Sequence, residues 1–394
     1  MRSSIVCSSS LALALALWIS GASAQTATPL AADTAVGKFS LGGYLEASYS
    51  YNFNDPSNGL TNYRGFDNRH NTFTLSNAVL DGQWEKSFVS GRVTLQVGHT
   101  PNTYYLAEPS SAGASGAGSS DASTWKYIQQ AYVAAKAPVG KGLTFQLGIF
   151  LSPIGMEGMA VKDNWNWSRS NLFFGLPFYH TGLRATQQLT DKLAVTLAAY
   201  NGWNSVVDAN KGKSVSVQFA YSAEKLSFSV LYFGGPERPG GAPEGQPWRH
   251  LLDAWAQVRP IDPLWLGAHA DAGFENNEFG TSSWAAGALY AQARVASSLY
   301  LAARGDYFHE HAASNGRGTA SRIFWPGDWV SSGTGTVDFR PIDALSVRLE
   351  LRHDQAATDT FFKGPVTGDA SAAAPFVPNA RSQDTLTLGA TTWL

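Results

Sequence analysis

From residue 38 onward the chain repeats one unit: an alternating run of roughly ten residues, a tight turn, a second alternating run, then a longer polar or aromatic segment. Leu143, Phe145, Leu147 and Ile149 alternate with Thr144, Gln146 and Gly148. Leu193, Val195 and Leu197 alternate with Ala194, Thr196 and Ala198, and Val215, Val217, Phe219 and Tyr221 with Ser214, Ser216, Gln218 and Ala220. Leu345, Val347, Leu349 and Leu351 alternate with Ser346, Arg348, Glu350 and Arg352. A period of two means β-strand, with one apolar face on each.

The connections sort by length. Short turns fall at Glu85-Lys86-Ser87, Val139-Gly140-Lys141-Gly142, Thr190-Asp191-Lys192, Ser222-Ala223-Glu224-Lys225, Pro260-Ile261-Asp262-Pro263, Ala296-Ser297-Ser298 and Pro341-Ile342-Asp343-Ala344. Long segments cover 54–70, 100–124, 152–177, 202–212, 235–249, 275–280, 310–330 and 356–380. Seven short and eight long connections join sixteen strands, with both termini on the short-turn side. That asymmetry is the pattern of a transmembrane antiparallel up-and-down β-barrel of about 16 strands, with short periplasmic turns and long extracellular loops. A soluble sandwich has no reason to sort its loops by end.

The N-terminus fits export. Arg2, the apolar run Leu11 to Ile19 and Ala22-Ser23-Ala24 have the order of a secretory signal peptide cut before Gln25. The run is too short for a helical span, which needs about 20 apolar residues. The expected organisation is a signal peptide at 1–24, a short periplasmic segment at 25–37 and one barrel domain at 38–394. The single cysteine, Cys7, falls inside the signal, so the mature chain carries no disulfide and no thiolate metal site. The Gly/Ala/Ser-rich stretch at 110–120 reads as a flexible loop tip.

Charged residues are 15% of the chain, below the ~25% of ordinary soluble domains. Removal of Arg2 leaves 27 of the 28 basic residues against 30 acidic ones, a net charge of −3, which gives no case for nucleic-acid binding. The charges sit in mid-strand opposite clean apolar rows. Arg92, Arg184, Arg304, Asp306, Arg348, Glu350, Arg352 and Asp354 are therefore the expected pore-lining set, and the excess of arginine among them suggests a mild anion preference. Aromatics near strand ends (Tyr44, Tyr49, Tyr51, Trp84, Tyr104, Tyr105, Tyr200, Trp203, Tyr232 and Phe233) read as girdles at the membrane boundary. The Ala-rich strands at 250–259 and 281–295 do not reveal their facing by periodicity.

Several stretches resemble the β-barrel porin 2 family, the OmpL-like outer-membrane porins: Gln130-Ala131-Tyr132-Val133, Gly148-Ile149-Phe150-Leu151-Ser152-Pro153-Ile154-Gly155-Met156-Glu157, Ser168-Arg169-Ser170-Asn171, Pro177-Phe178-Tyr179-His180-Thr181-Gly182-Leu183-Arg184 and Tyr200-Asn201-Gly202-Trp203-Asn204. The resemblance spans most of the mature chain and is most specific in 125–222. It implies an outer-membrane barrel of a Gram-negative bacterium that passes solutes, with no particular substrate. Many outer-membrane barrels end in Phe, the residue recognised during assembly, whereas this chain ends Thr391-Thr392-Trp393-Leu394.

The loop 152–177 follows the fifth strand and is the third long loop. By analogy with sixteen-stranded porins it is expected to fold inward and narrow a water-filled channel. It carries Glu157, Lys162, Asp163, Trp165, Trp167 and Arg169, whose opposed charges would orient polar solutes. The expected function is passive diffusion of small hydrophilic solutes or ions. The expected partners are outer-membrane lipid, the barrel assembly machinery and two further copies in a homotrimer. No cofactor motif and no metal site stands out: His99, His180, His269 and His353 lie on separate strands, and His309 and His311, near Asp306 and Glu310, read as a solvated loop. There is no G-x-S-x-G elbow and no phosphate-binding loop. Two other readings stand beside the channel. A lipase-like outer-membrane barrel enzyme would need a Ser-His pair on its outer wall. A secreted carbohydrate-binding β-protein, suggested by 13 Trp, would dissolve without detergent.

Overall fold

The computed structural model describes residues 30–34, 37–108 and 122–394. The expected signal peptide and the 110–120 loop tip lie outside them. Sixteen strands run in chain order: β1 (Gly37–Asn52), β2 (Thr72–Lys86), β3 (Val89–Val97), β4 (Ile128–Ala137), β5 (Leu143–Leu151), β6 (Tyr179–Gln188), β7 (Leu193–Tyr200) and β8 (Ser214–Ser222). They continue with β9 (Leu226–Pro236), β10 (Trp248–Ile261), β11 (Leu264–Asn277), β12 (Gly280–Ala296), β13 (Leu299–His311), β14 (Trp329–Ile342), β15 (Leu345–Ala356) and β16 (Ser382–Trp393). Each pairs antiparallel with the next, and β16 pairs with β1 from Thr385 opposite Asn52 to Trp393 opposite Tyr44. The sheet thereby closes and leaves no edge, as a backbone in hydrocarbon requires. Leu30–Thr34, within the expected periplasmic segment, lies antiparallel along Gly37–Leu41.

The two faces of the wall are inverted relative to a soluble protein. On β15, Ser346, Arg348, Glu350, Arg352 and Asp354 are at most 1% exposed, whereas Leu349 and Leu351 are 47% and 56% exposed. Val93, Val133, Leu147, Leu183, Leu197, Leu289 and Leu388 stand outward in the same way. Burial of such rows against lipid releases water at about 25 cal/mol per Å², so the greasy face belongs in a membrane. No helix among the described residues is long and apolar enough to cross one; the strands do so.

The loop pattern departs from expectation once. Segment 275–280 is no long loop: Asn277 pairs directly with Gly280, leaving a two-residue turn of Glu278 and Phe279. Here the strands run on past the polar residues that mark an end elsewhere. The girdle reading is also half corrected. Tyr49, against the exposed Phe73, and Tyr51, against Phe53, face outward, as do Trp84 and Tyr232. Tyr104, Tyr105, Tyr200, Trp203 and Phe233 are buried inside the barrel, and the Tyr44 hydroxyl contacts the inward Gln129 and Asn77. Proximity to a strand end does not determine the face; the parity of the position does. The same parity resolves the Ala-rich strands, sending Asp253, Trp255, Ala286, Ala288 and Tyr290 inward.

Candidate constriction and lumen

Loop 152–177 enters the barrel. Its base is closed by the Ser152 N–H donating to the Phe178 carbonyl at 2.9 Å. Its tip lies against the inner faces of β12 to β16 and β1. Irregular backbone inside a barrel must find partners for its N–H and C=O groups, and the inward charges of the wall supply them. Glu350 accepts the N–H groups of Trp167 at 2.6 Å and Ser168 at 2.9 Å, and the Thr336 hydroxyl at 2.8 Å. Arg348 donates to the carbonyls of Val161 (2.9 Å) and Asn166 (3.1 Å). Arg352 donates to the carbonyl of Arg169 and, at 2.9 Å, to Asn171 Oδ1. Arg304 donates to the Ser168 carbonyl at 2.6 Å, and Asp306 accepts the Asn171 N–H at 3.1 Å. Asp354 pairs with Arg352 at 2.6 Å and faces Arg64 of the first long loop at 3.6 Å.

The loop's own charges are engaged as well. Glu157 meets Arg304 at 2.9 Å and accepts the Tyr290 hydroxyl at 3.1 Å and the Ser170 N–H. Arg169 is turned onto the carbonyls of Gly158, Met159 and Trp167. Lys162 and Asp163 pair with each other at 2.7 Å and keep partial exposure. Trp165 is half-buried edge-on to Tyr290, and Trp167 is buried against Gly389 of β16. The expected set of opposed free charges is thus mostly a set of anchors.

The opposite side of the interior differs. Toward the short-turn end of β2 to β6, Asp81, Gln83, Arg92, Tyr132, Gln146 and Arg184 are half-buried. Arg92 is held by Asp81 at 2.7 Å. Arg184 donates to Gln146 Oε1 at 2.6 Å and lies over the Phe150 ring at 4.4 Å from its centroid. It forms no ion pair with an acid among the described residues.

Sequence reading missed Glu46, which accepts the Val161 N–H at 2.6 Å, and Asn166, which donates to Thr336 at 2.8 Å. Glu46 shares the inward parity of Ser50, a signal that could have found it. It also missed that Asp253 and Asp271 gather around His269, although His99, His180, His269 and His353 stand on separate elements. His309 and His311, read as part of a solvated loop, instead lie at the end of β13 on its outer face, while Glu310 turns inward to the N–H groups of Ile323, Phe324 and Trp325.

The model of the family described as "Putative beta-barrel porin-2, OmpL-like" matches residues 38–392, the whole barrel. The chain belongs to this family of porins. It is an outer-membrane porin, and its localisation is the outer membrane. Solved structures share the porin fold at low identity. DcaP, an outer-membrane channel of Acinetobacter baumannii, is 10% identical with a TM-score of 0.58, covering 92% of this porin and 99% of that chain. An anion-selective porin from Comamonas acidovorans is 11% identical, TM-score 0.56, covering 90% and 99%. OmpT of Vibrio cholerae is 12% identical, TM-score 0.54, covering 93% and 100%, and a trimer form of OmpT is also among the similar structures. No protein of curated function matches the chain in sequence.

Proposed function

We propose that this porin is a passive diffusion channel for small hydrophilic solutes, with no catalytic activity. Its water path passes loop 152–177 on the side of β2 to β6. The unequal burial of the interior supports this reading. The wall from β12 to β16 is covered by the loop, while Asp81, Arg92, Gln146 and Arg184 are less completely buried toward the short-turn end. Pore lining in contact with moving solutes then belongs to Arg92 and Arg184, while Arg304, Asp306, Arg348, Glu350, Arg352 and Asp354 hold the constriction in place. A weak anion preference rests on Arg184, which forms no ion pair with an acid among the described residues.

Catalysis finds little support. Ser152 Oγ meets His180 Nε2 at 3.2 Å, but inside the barrel, and the other ring nitrogen faces the Gly202 carbonyl at 3.0 Å where a triad would place a carboxylate. For the homotrimer, the outer wall offers a concave patch. Ala254, Ala256, Ala268, Ala270, Gly287 and Gly305 form its floor, between Phe228, Leu289 and Tyr307. Small residues let two walls approach closely in lipid.

Planar-bilayer recording tests the channel. Stepwise conductance is expected, with reversal potentials in a salt gradient modestly favouring anions and graded block by neutral hydrophilic solutes. A silent bilayer with folded protein would overturn the reading.

A further inference from the structure

Asp253 on β10 and Asp271 on β11 stand directly opposite each other across one ladder, both facing the barrel interior. Like charges at such a cross-strand pair repel, and the surroundings do little to relieve them. Their neighbours on the flanking strands are Leu231 and Ala286, both buried. His269, opposite Trp255, reaches between them, with Nε2 at 2.6 Å from Asp253 and 3.4 Å from Asp271. Among the described residues no other charged group pairs with either carboxylate. Asp253 is fully buried, and His269 and Asp271 are 4% exposed. Among the described residues, Asp253 Oδ1 and both oxygens of Asp271 find no hydrogen-bond partner. A buried carboxylate without partners is costly, and three such oxygens beside one imidazole make a site that lacks positive charge.

We propose that Asp253, His269 and Asp271 form a binding site for a single borderline divalent cation of the Zn²⁺ class. Each residue offers one donor atom, and these atoms lie within 4.8 Å of one another. An imidazole nitrogen with two carboxylate oxygens matches the donor preference of Zn²⁺, which binds such atoms at about 2.0–2.2 Å, whereas Ca²⁺ and Mg²⁺ prefer all-oxygen sets. Small side-chain rotations bring the three atoms onto a central ion. The ion replaces the short His269–Asp253 contact and offsets the repulsion between the carboxylates. The site lies at the root of the inward loop: a Cβ on Gly155, whose φ is +88°, would come within 3.1 Å of His269 Cε1. A bound ion would therefore fasten β10 to β11 beside the start of the inward loop. The proposal is independent of the transport reading.

The test uses the full chain, purified in detergent and stripped of metal, with folding checked by heat-modifiable gel migration. Calorimetric titration with Zn²⁺ is expected to show one saturable site per chain and a raised unfolding temperature, with no such response to Ca²⁺. Asp271→Asn and His269→Gln should each weaken binding by about tenfold or more. His353→Gln, which removes the exposed His353–Asp384 pair on the outer face, should leave it unchanged. Wild-type protein loaded with Co²⁺ provides a readout that needs no variant: visible d–d bands of low-symmetry coordination are expected. Absence of saturable Zn²⁺ binding, affinity undiminished in both variants, an equal response to Ca²⁺, or a Co²⁺ spectrum identical to the hydrated ion would each overturn the proposal.

Discussion

The indole of Trp167, in the inward loop, lies on Gly389 of the closing strand so closely that a Cβ at 389 would stand 2.3 Å from the ring atom Cζ3. Gly389 faces the interior directly opposite Arg348. The glycine is a seat for the loop, and any side chain there competes with the indole for the same space. Gly389→Val is expected to displace Trp167 and to cost about 1–3 kcal/mol through overpacking. A lower midpoint of heat modification, together with altered single-channel conductance, would show it. A wild-type midpoint would count against the seat.

Glu350 holds the same stretch of loop from the neighbouring strand. Glu350→Ala leaves the Trp167 and Ser168 N–H groups without an acceptor, a loss of about 1–3 kcal/mol for each buried donor left unsatisfied. The expected phenotype is a larger, noisier conductance, because the loop is freed toward the lumen. Glu350→Gln retains one acceptor oxygen and should fall between the two. Equal conductance in all three proteins would mean that the loop does not narrow the path.

Arg184 carries the predicted selectivity. Arg184→Gln removes a positive charge held, among the described residues, by Gln146 and aromatic faces, so the reversal potential should move toward cations with little change in stability. Arg304→Gln, by contrast, strips Glu157 of its partner and should mainly reduce stability. Reversal potentials and unfolding midpoints measured side by side separate the two effects.

The outward row should tolerate no charge at mid-membrane. Leu349→Arg is expected to cost about 2–4 kcal/mol of folding into vesicles, the usual depth-dependent penalty. Val377→Arg, on an equally exposed position of the last long loop, should be close to neutral. Urea titrations in phosphatidylcholine vesicles give both values.

The barrel was legible because its signals are local. Leu345 to Leu351 alternate with Ser346 to Arg352 whatever they touch, and Asp191-Lys192 or Ser297-Ser298 mark a turn without reference to the far wall. Where the reading failed, the missing information was a partner distant in sequence. Tyr104 and Tyr105 resemble interfacial aromatics, yet their rings pack on Tyr179, more than seventy positions away. Segment 275–280 carries loop-like residues, yet Asn277 and Gly280 pair and continue the ladder.

The sequence by itself determined a closed antiparallel wall with greasy exterior and charged interior, because a two-residue period in strands and the length of turns are properties of consecutive residues. Only the tertiary structure decided what the interior charges do. Arg304, Arg348, Glu350 and Arg352 look alike on paper as lining for water, but a loop from the other side of the barrel brings unpaired backbone groups to them, and hydrogen bonds buried from water form in preference to solvation. The juxtaposition of Asp253 with Asp271 and His269 depends likewise on strand register, which is set by pairing across the sheet and not by either strand alone.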